Sequence, residues 1–108
     1  MAILFKAFLL CSILAAGEPE RLNALILSGQ NNHAWQETTP VLREILESTG
    51  RFTVTVLDRP ETMTCDSLAD FDVIVSNWNA WGDAPVKEWP EATRNAFVAF
   101  VREGGGYV

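Results

Sequence analysis

Two short apolar runs, each breaking abruptly into a polar and aromatic loop, constrain this chain more than any other feature. The first, Leu25-Ile26-Leu27, leads into Ser28-Gly29-Gln30-Asn31-Asn32-His33-Ala34-Trp35, which carries the only histidine. The second, Val73-Ile74-Val75, leads into Ser76-Asn77-Trp78-Asn79-Ala80-Trp81-Gly82-Asp83. Consecutive aliphatic residues bounded by small and polar ones suit strands covered on both faces, the pattern of a parallel sheet. Between them Phe52-Thr53-Val54-Thr55-Val56-Leu57 alternates apolar and polar residues, so this strand should bury one face more fully and occupy an edge.

The intervening stretches supply helices. Thr39-Pro40 is a helix start, with Thr39 able to cap and Pro40 preset at the first helical position. Val41, Leu42, Ile45 and Leu46 then recur on one face, Arg43, Glu44 and Glu47 form a solvated one, and Gly50 ends the helix. Asp66 and Asp70 are read as capping or solvating a short turn over Leu68 to Phe71. Pro90-Glu91 opens a further helix with Ala96, Phe97, Phe100 and Val101 as its apolar stripe, closed by Arg102 and Gly104. The order strand, helix, strand, loop, strand, helix, strand requires crossover connections and a parallel sheet. It predicts a three-layer α/β domain of the flavodoxin-like kind with strand order 2-1-3-4. In such a sheet ligands sit outside the carboxyl ends of the strands, here where the loops after strands 1 and 3 meet.

The two ends of the chain read differently from its middle. Residues 1–17 join the lone basic residue Lys6, an apolar run from Ala7 to Leu14 and the small-residue ending Ala15-Ala16-Gly17, the layout of a secretory signal peptide. The expectation is an exported protein, periplasmic or secreted, with no membrane span after cleavage; the alternative is an uncleaved anchor. Leu10 before Cys11 is a poor fit to a lipoprotein signal. The formal charge of −6 becomes one unit more negative once Lys6 is removed, and no Lys/Arg cluster offers phosphates a counter-charge, so no nucleic acid partner is expected. Cys65 is then the one cysteine outside the leader, and an internal disulfide is excluded. At the other end, Gly104-Gly105-Gly106-Tyr107-Val108 reads as a helix stop followed by a strand just begun. Residues 18–108 are therefore expected to be the N-terminal part of a larger domain that covers strand 4 and one sheet face.

The two loops bring amides, an imidazole, a carboxylate and indoles to one end of the sheet. The candidate binding residues are Gly29, Asn31, Asn32, Asn77, Trp78, Asn79, Trp81 and Asp83, with His33 as the candidate catalytic group. Amides and carboxylates pair with hydroxyls in both senses and an indole face suits the C–H side of a sugar ring, so the mixture fits a small neutral carbohydrate. Each residue also has a plainer reading: His33 bonded within an exposed turn, and each Trp packed under a long loop. Trp35, past the loop apex, is read as stapling the start of the first helix toward Val41 and Leu42. Other chemistries find less support. Ser28 to His33 matches neither the dinucleotide fingerprint nor the P-loop, no second histidine joins His33 for a metal site, and Cys65 lies away from any strand-to-helix elbow. No cofactor or metal is expected.

Ala24 to Trp35, the Thr39-Pro40 pair, Phe71 to Trp78 and Phe97 to Val108 together resemble the trehalose-utilisation (ThuA-like) family over residues 22–108. The most specific pieces are Gly29, Asn31 and His33 in the first loop and the Gly-Gly-Gly strand entry. The resemblance implies a fold similar to class I glutamine amidotransferases and a part in disaccharide or keto-sugar catabolism. In the amidotransferase relatives the nucleophilic cysteine follows the strand that begins here at Tyr107, beyond Val108. The resemblance therefore leaves two functions open, a sugar-processing hydrolase or lyase and a non-catalytic sugar-binding or scaffold domain.

Overall fold

The structure is a computed structural model in which residues 17–81 and 88–108 are described. The signal-peptide reading of residues 1–17 rests on residues 1–16, which lie outside the described residues, as does Asp83. Four strands, β1 (Leu22–Leu27), β2 (Phe52–Leu57), β3 (Val73–Ser76) and β4 (Gly106–Tyr107), form one sheet in the order β2-β1-β3-β4. All three pairings are parallel, with Leu27 level with both Leu57 and Ser76. The expected strand order and the edge position of β2 both hold.

β1 sits in the middle because its sequence tolerates burial on both sides. Leu25 and Leu27 project into a core with Met63, Leu68, Ile74, Ala96 and Phe100, whereas Ala24 and Ile26 project into a second core with Val54. Helix α1 (Trp35–Ser48) closes the second core through Leu42 and Leu46; α2 (Cys65–Leu68) and α3 (Glu91–Arg102) close the first. Burying each of Ile26, Leu27 and Ile74, all 0% exposed, contributes about 1.5–3 kcal/mol. Travel leftward from β1 and rightward from β2 thus places helices on opposite faces, as right-handed crossovers demand.

Four local expectations are corrected. Helix α1 begins at Trp35, four residues before Thr39, because the Ala34 carbonyl accepts from the amides of Glu37 and Thr38 and starts the turn earlier. Pro40 consequently lies inside the helix and offers no N–H to the Gln36 carbonyl. Val41 and Ile45 are 53% and 56% exposed, so only Leu42 and Leu46 of the expected stripe reach the sheet. Val101 of α3 is likewise exposed, and Thr93 takes a buried place in its stead. Ahead of α2 the cap is Thr64, in a reciprocal capping box with Ser67, and neither Asp66 nor Asp70 caps; both are exposed, on the solvated side of the turn that Phe71 closes onto the Leu68 carbonyl. The far end of α3 closes as a Schellman turn: Gly104, at φ +104°, donates to the Val101 carbonyl and Gly105 donates to that of Phe100.

Candidate functional site

Gly29 fixes where the first loop leaves the sheet. Its φ of +93° is left-handed, and a Cβ there would stand 2.0 Å from the Asp58 carbonyl oxygen, so the chain crosses the end of β2 at a distance only glycine permits. Ser28 secures the crossing by donating its amide to the Leu57 carbonyl. Gly29 thus has a backbone reason to be glycine, independent of any ligand.

Beyond it the loops after β1 and β3 clasp one another through side-chain amides. Asn31 donates to both the carbonyl and the Oδ1 of Asn77, at 3.0 and 3.1 Å. Asn79 donates to Asn31 Oδ1 at 3.1 Å and to Asn32 Oδ1 at 2.8 Å. Two backbone bonds reinforce the clasp, Asn77 N–H to the Leu27 carbonyl and Asn79 N–H to that of Gln30. Asn77 then reaches across to α1, donating to Thr38 Oγ1 and Thr39 Oγ1, each at 2.9 Å, and Thr39 Oγ1 lies 2.7 Å from Ser28 Oγ. Four of the candidate binding residues, Asn31, Asn32, Asn77 and Asn79, are therefore in one place, but their amides are largely engaged with one another. They brace the site.

The remaining candidates divide. His33 is exposed at the loop apex; its backbone N–H donates to Asn31 Oδ1, and among the described residues no hydrogen bond holds its imidazole. Trp81 is 75% exposed, its amide bonded to Asn79 Oδ1. Trp78 turns inward, its ring 5.2 Å from that of Trp89, at the head of an aromatic series continuing through Phe97 to Tyr107. Its plainer reading, packing beneath the loop, is the one realised. Among the described residues no group of three His, Cys, Asp or Glu side chains is placed to hold a metal ion.

Among the cavities lined by the described residues, two have a volume of about 340 Å³ each. One lies at the amino ends of β3 and β4, between Phe71, Phe100 and Gly105. The other lies at the carboxyl ends of β1 and β2, where Ser28, Trp35, Gln36, Thr39, Pro40, Arg43, Val56 and Asp58 line it. Only the second is on the ligand-binding end of a sheet of this type. Trp35, the first residue of α1, is among the residues that line this cavity. Sequence reasoning missed Ser28, Thr38, Thr39 and Asp58; the readable signal is the hydroxyl pair Thr38-Thr39 before Pro40, whose second member also fits a helix cap.

A parallel sheet in the order 2-1-3-4, with helices on both faces and a polar loop clasp at its carboxyl edge, defines a doubly wound α/β domain. Within that class, the trehalose-utilisation (ThuA) family model matches residues 23–108, and the chain belongs to that family. A crystal structure of a ThuA-like protein from Parabacteroides merdae is similar at 33% identity, with a TM-score of 0.64, over 82% of this chain and 31% of that one. A ThuA-like protein from Bacteroides uniformis shares the fold at 20% identity, TM-score 0.58, over 82% of this chain and 35% of its own. This chain thus spans about a third of the length of these solved relatives. No curated protein matches it.

Proposed function

We infer that this chain contributes the first loops of an exported carbohydrate-processing protein, acting on a disaccharide or keto-sugar with His33 as the acid/base or hydroxyl-orienting group. The observation that carries the reading is the position of His33: the only histidine stands at a loop apex fixed by the asparagine clasp, with its imidazole free of hydrogen bonds to the described residues. An imidazole can both accept and donate a proton, which suits transfer to or from a sugar hydroxyl. Membership of a family described by trehalose utilisation supports the substrate class. Trp81, Asn32 and, outside the described residues, Asp83 complete the proposed sugar contacts. Export rests on the leader-like residues 1–17; no helix among the described residues is long and apolar enough to cross a membrane.

His33→Ala in the full-length protein is expected to lower turnover of trehalose or a keto-disaccharide by about 10²–10⁴-fold while leaving the circular dichroism spectrum unchanged. Unchanged turnover would remove the catalytic role. One feature favours a second reading, a non-catalytic sugar-binding or scaffold domain: among the described residues nothing bonds to the His33 imidazole to orient it as a catalytic base requires. Sugar binding without turnover by the full-length protein is the outcome that selects it.

A further inference from the structure

The cavity beneath the first turns of α1 holds a polar donor that no acceptor among the described residues uses. Ser28 and Thr39 both line it and are 0% and 6% exposed. Their hydroxyl oxygens are 2.7 Å apart, and Thr39 Oγ1 already accepts from the Asn77 amide. Two hydroxyl hydrogens therefore share a single bond. Whichever group donates across the pair, the other hydrogen has no acceptor among the described residues. Ser28 is fully enclosed, so the hydrogen that an outside acceptor can meet is that of Thr39, with Ser28 donating to Thr39 Oγ1; leaving it unbonded in a buried place is unfavourable, and an acceptor from outside is favoured there.

The rest of the wall narrows what that acceptor belongs to. Trp35 presents a half-buried indole and Val56 an aliphatic surface, while the exposed carboxylate of Asp58 accepts hydrogen bonds. An anion is disfavoured on three grounds. Asp58 repels it; Arg43 is already paired with Glu47 at 3.1 Å; and of the first four amides of α1, those of Trp35, Glu37 and Thr38 are bonded to the His33 and Ala34 carbonyls. The helix end therefore lacks the free N–H groups that phosphate sites use. A volume of about 340 Å³ is at the small end of ligand pockets, suited to a single ring.

We propose that this cavity is a subsite for one neutral polyhydroxyl ring, with the indole of Trp35 against its C–H face, the Thr39 hydroxyl donating to one ring hydroxyl and Asp58 accepting from another. The proposal rests on the carbohydrate reading above and adds a site on the β2 side of β1, joined to the loop after β3 through the bond from Asn77 to Thr39 Oγ1.

The test uses the full-length protein, with glucose as probe, glucose 6-phosphate as its anionic counterpart, and saturation-transfer NMR as the readout. Glucose is expected to bind saturably and more tightly than glucose 6-phosphate. Trp35→Leu should weaken glucose binding at least about tenfold, and Asp58→Asn, a change at an exposed side chain that keeps the fold, should weaken it measurably. Absence of saturable binding, a preference for the phosphate, or a parental Kd in both variants would overturn the subsite. The catalytic reading fails separately. If His33→Ala abolishes turnover while Trp35→Leu binds glucose like the parent, the subsite is wrong and the catalytic role stands. If Trp35→Leu loses glucose from a protein that turns over no sugar, the subsite stands without catalysis.

Discussion

At the scale of single residues, the most exacting position is one without a side chain. Gly29 combines a left-handed φ with the backbone of Asp58, just past β2, where its Cβ would be, and the Asp58 carbonyl cannot rotate away as a side chain would. Gly29→Ala is expected to cost at least about 2 kcal/mol, read as a lower urea midpoint at unchanged slope. A neutral outcome would mean that the loop leaves the sheet by another path. The same scale shows what the sequence disclosed of the site and what it concealed. Asn31, Asn32, Asn77 and Asn79 were legible as a cluster because each follows an apolar run that ends at the same sheet edge. Their engagement with one another was not legible, since an amide that binds a ligand and an amide that binds another amide are identical in sequence. Trp78 illustrates the same limit: its tilted packing against Trp89 depends on a loop conformation that no periodicity encodes.

At the scale of elements, strands were easier to read than helix boundaries. Two-sided burial writes itself into β1 and β3 as unbroken aliphatic runs, and one-sided burial into β2 as alternation. Helix α1 was misplaced because Thr39-Pro40 carries a strong local start, which the tertiary structure overrides by burying Thr39 against Ser28 and Asn77. A hydroxyl that serves a buried network cannot also cap. Thr64, by contrast, does cap, in a reciprocal box that anchors a four-residue helix whose Leu68 is 2% exposed. Thr64→Ala should therefore cost about 1 kcal/mol in a denaturant titration, and Thr64→Ser much less.

At the scale of the whole molecule, β1 is the member that both cores share, and the loop clasp ties its exit to that of β3. The bonds of that clasp join residues 46, 47 and 48 positions apart in the chain. Contacts so distant in sequence form only after β1 and β3 are already neighbours, because the entropy of closing the intervening chain must first be met by the cores beneath. The clasp should then be a late acquisition on the folding route, absent from the transition state. Asn77→Ala is expected to accelerate unfolding in stopped-flow experiments on the full-length protein by about tenfold while leaving the refolding rate nearly unchanged, and an equal slowing of refolding would contradict this order of events. An arrangement that assembles last also opens first: the asparagines act as a latch whose lifetime sets how long the histidine-bearing loop stays in place, independently of how stable the sheet below it is.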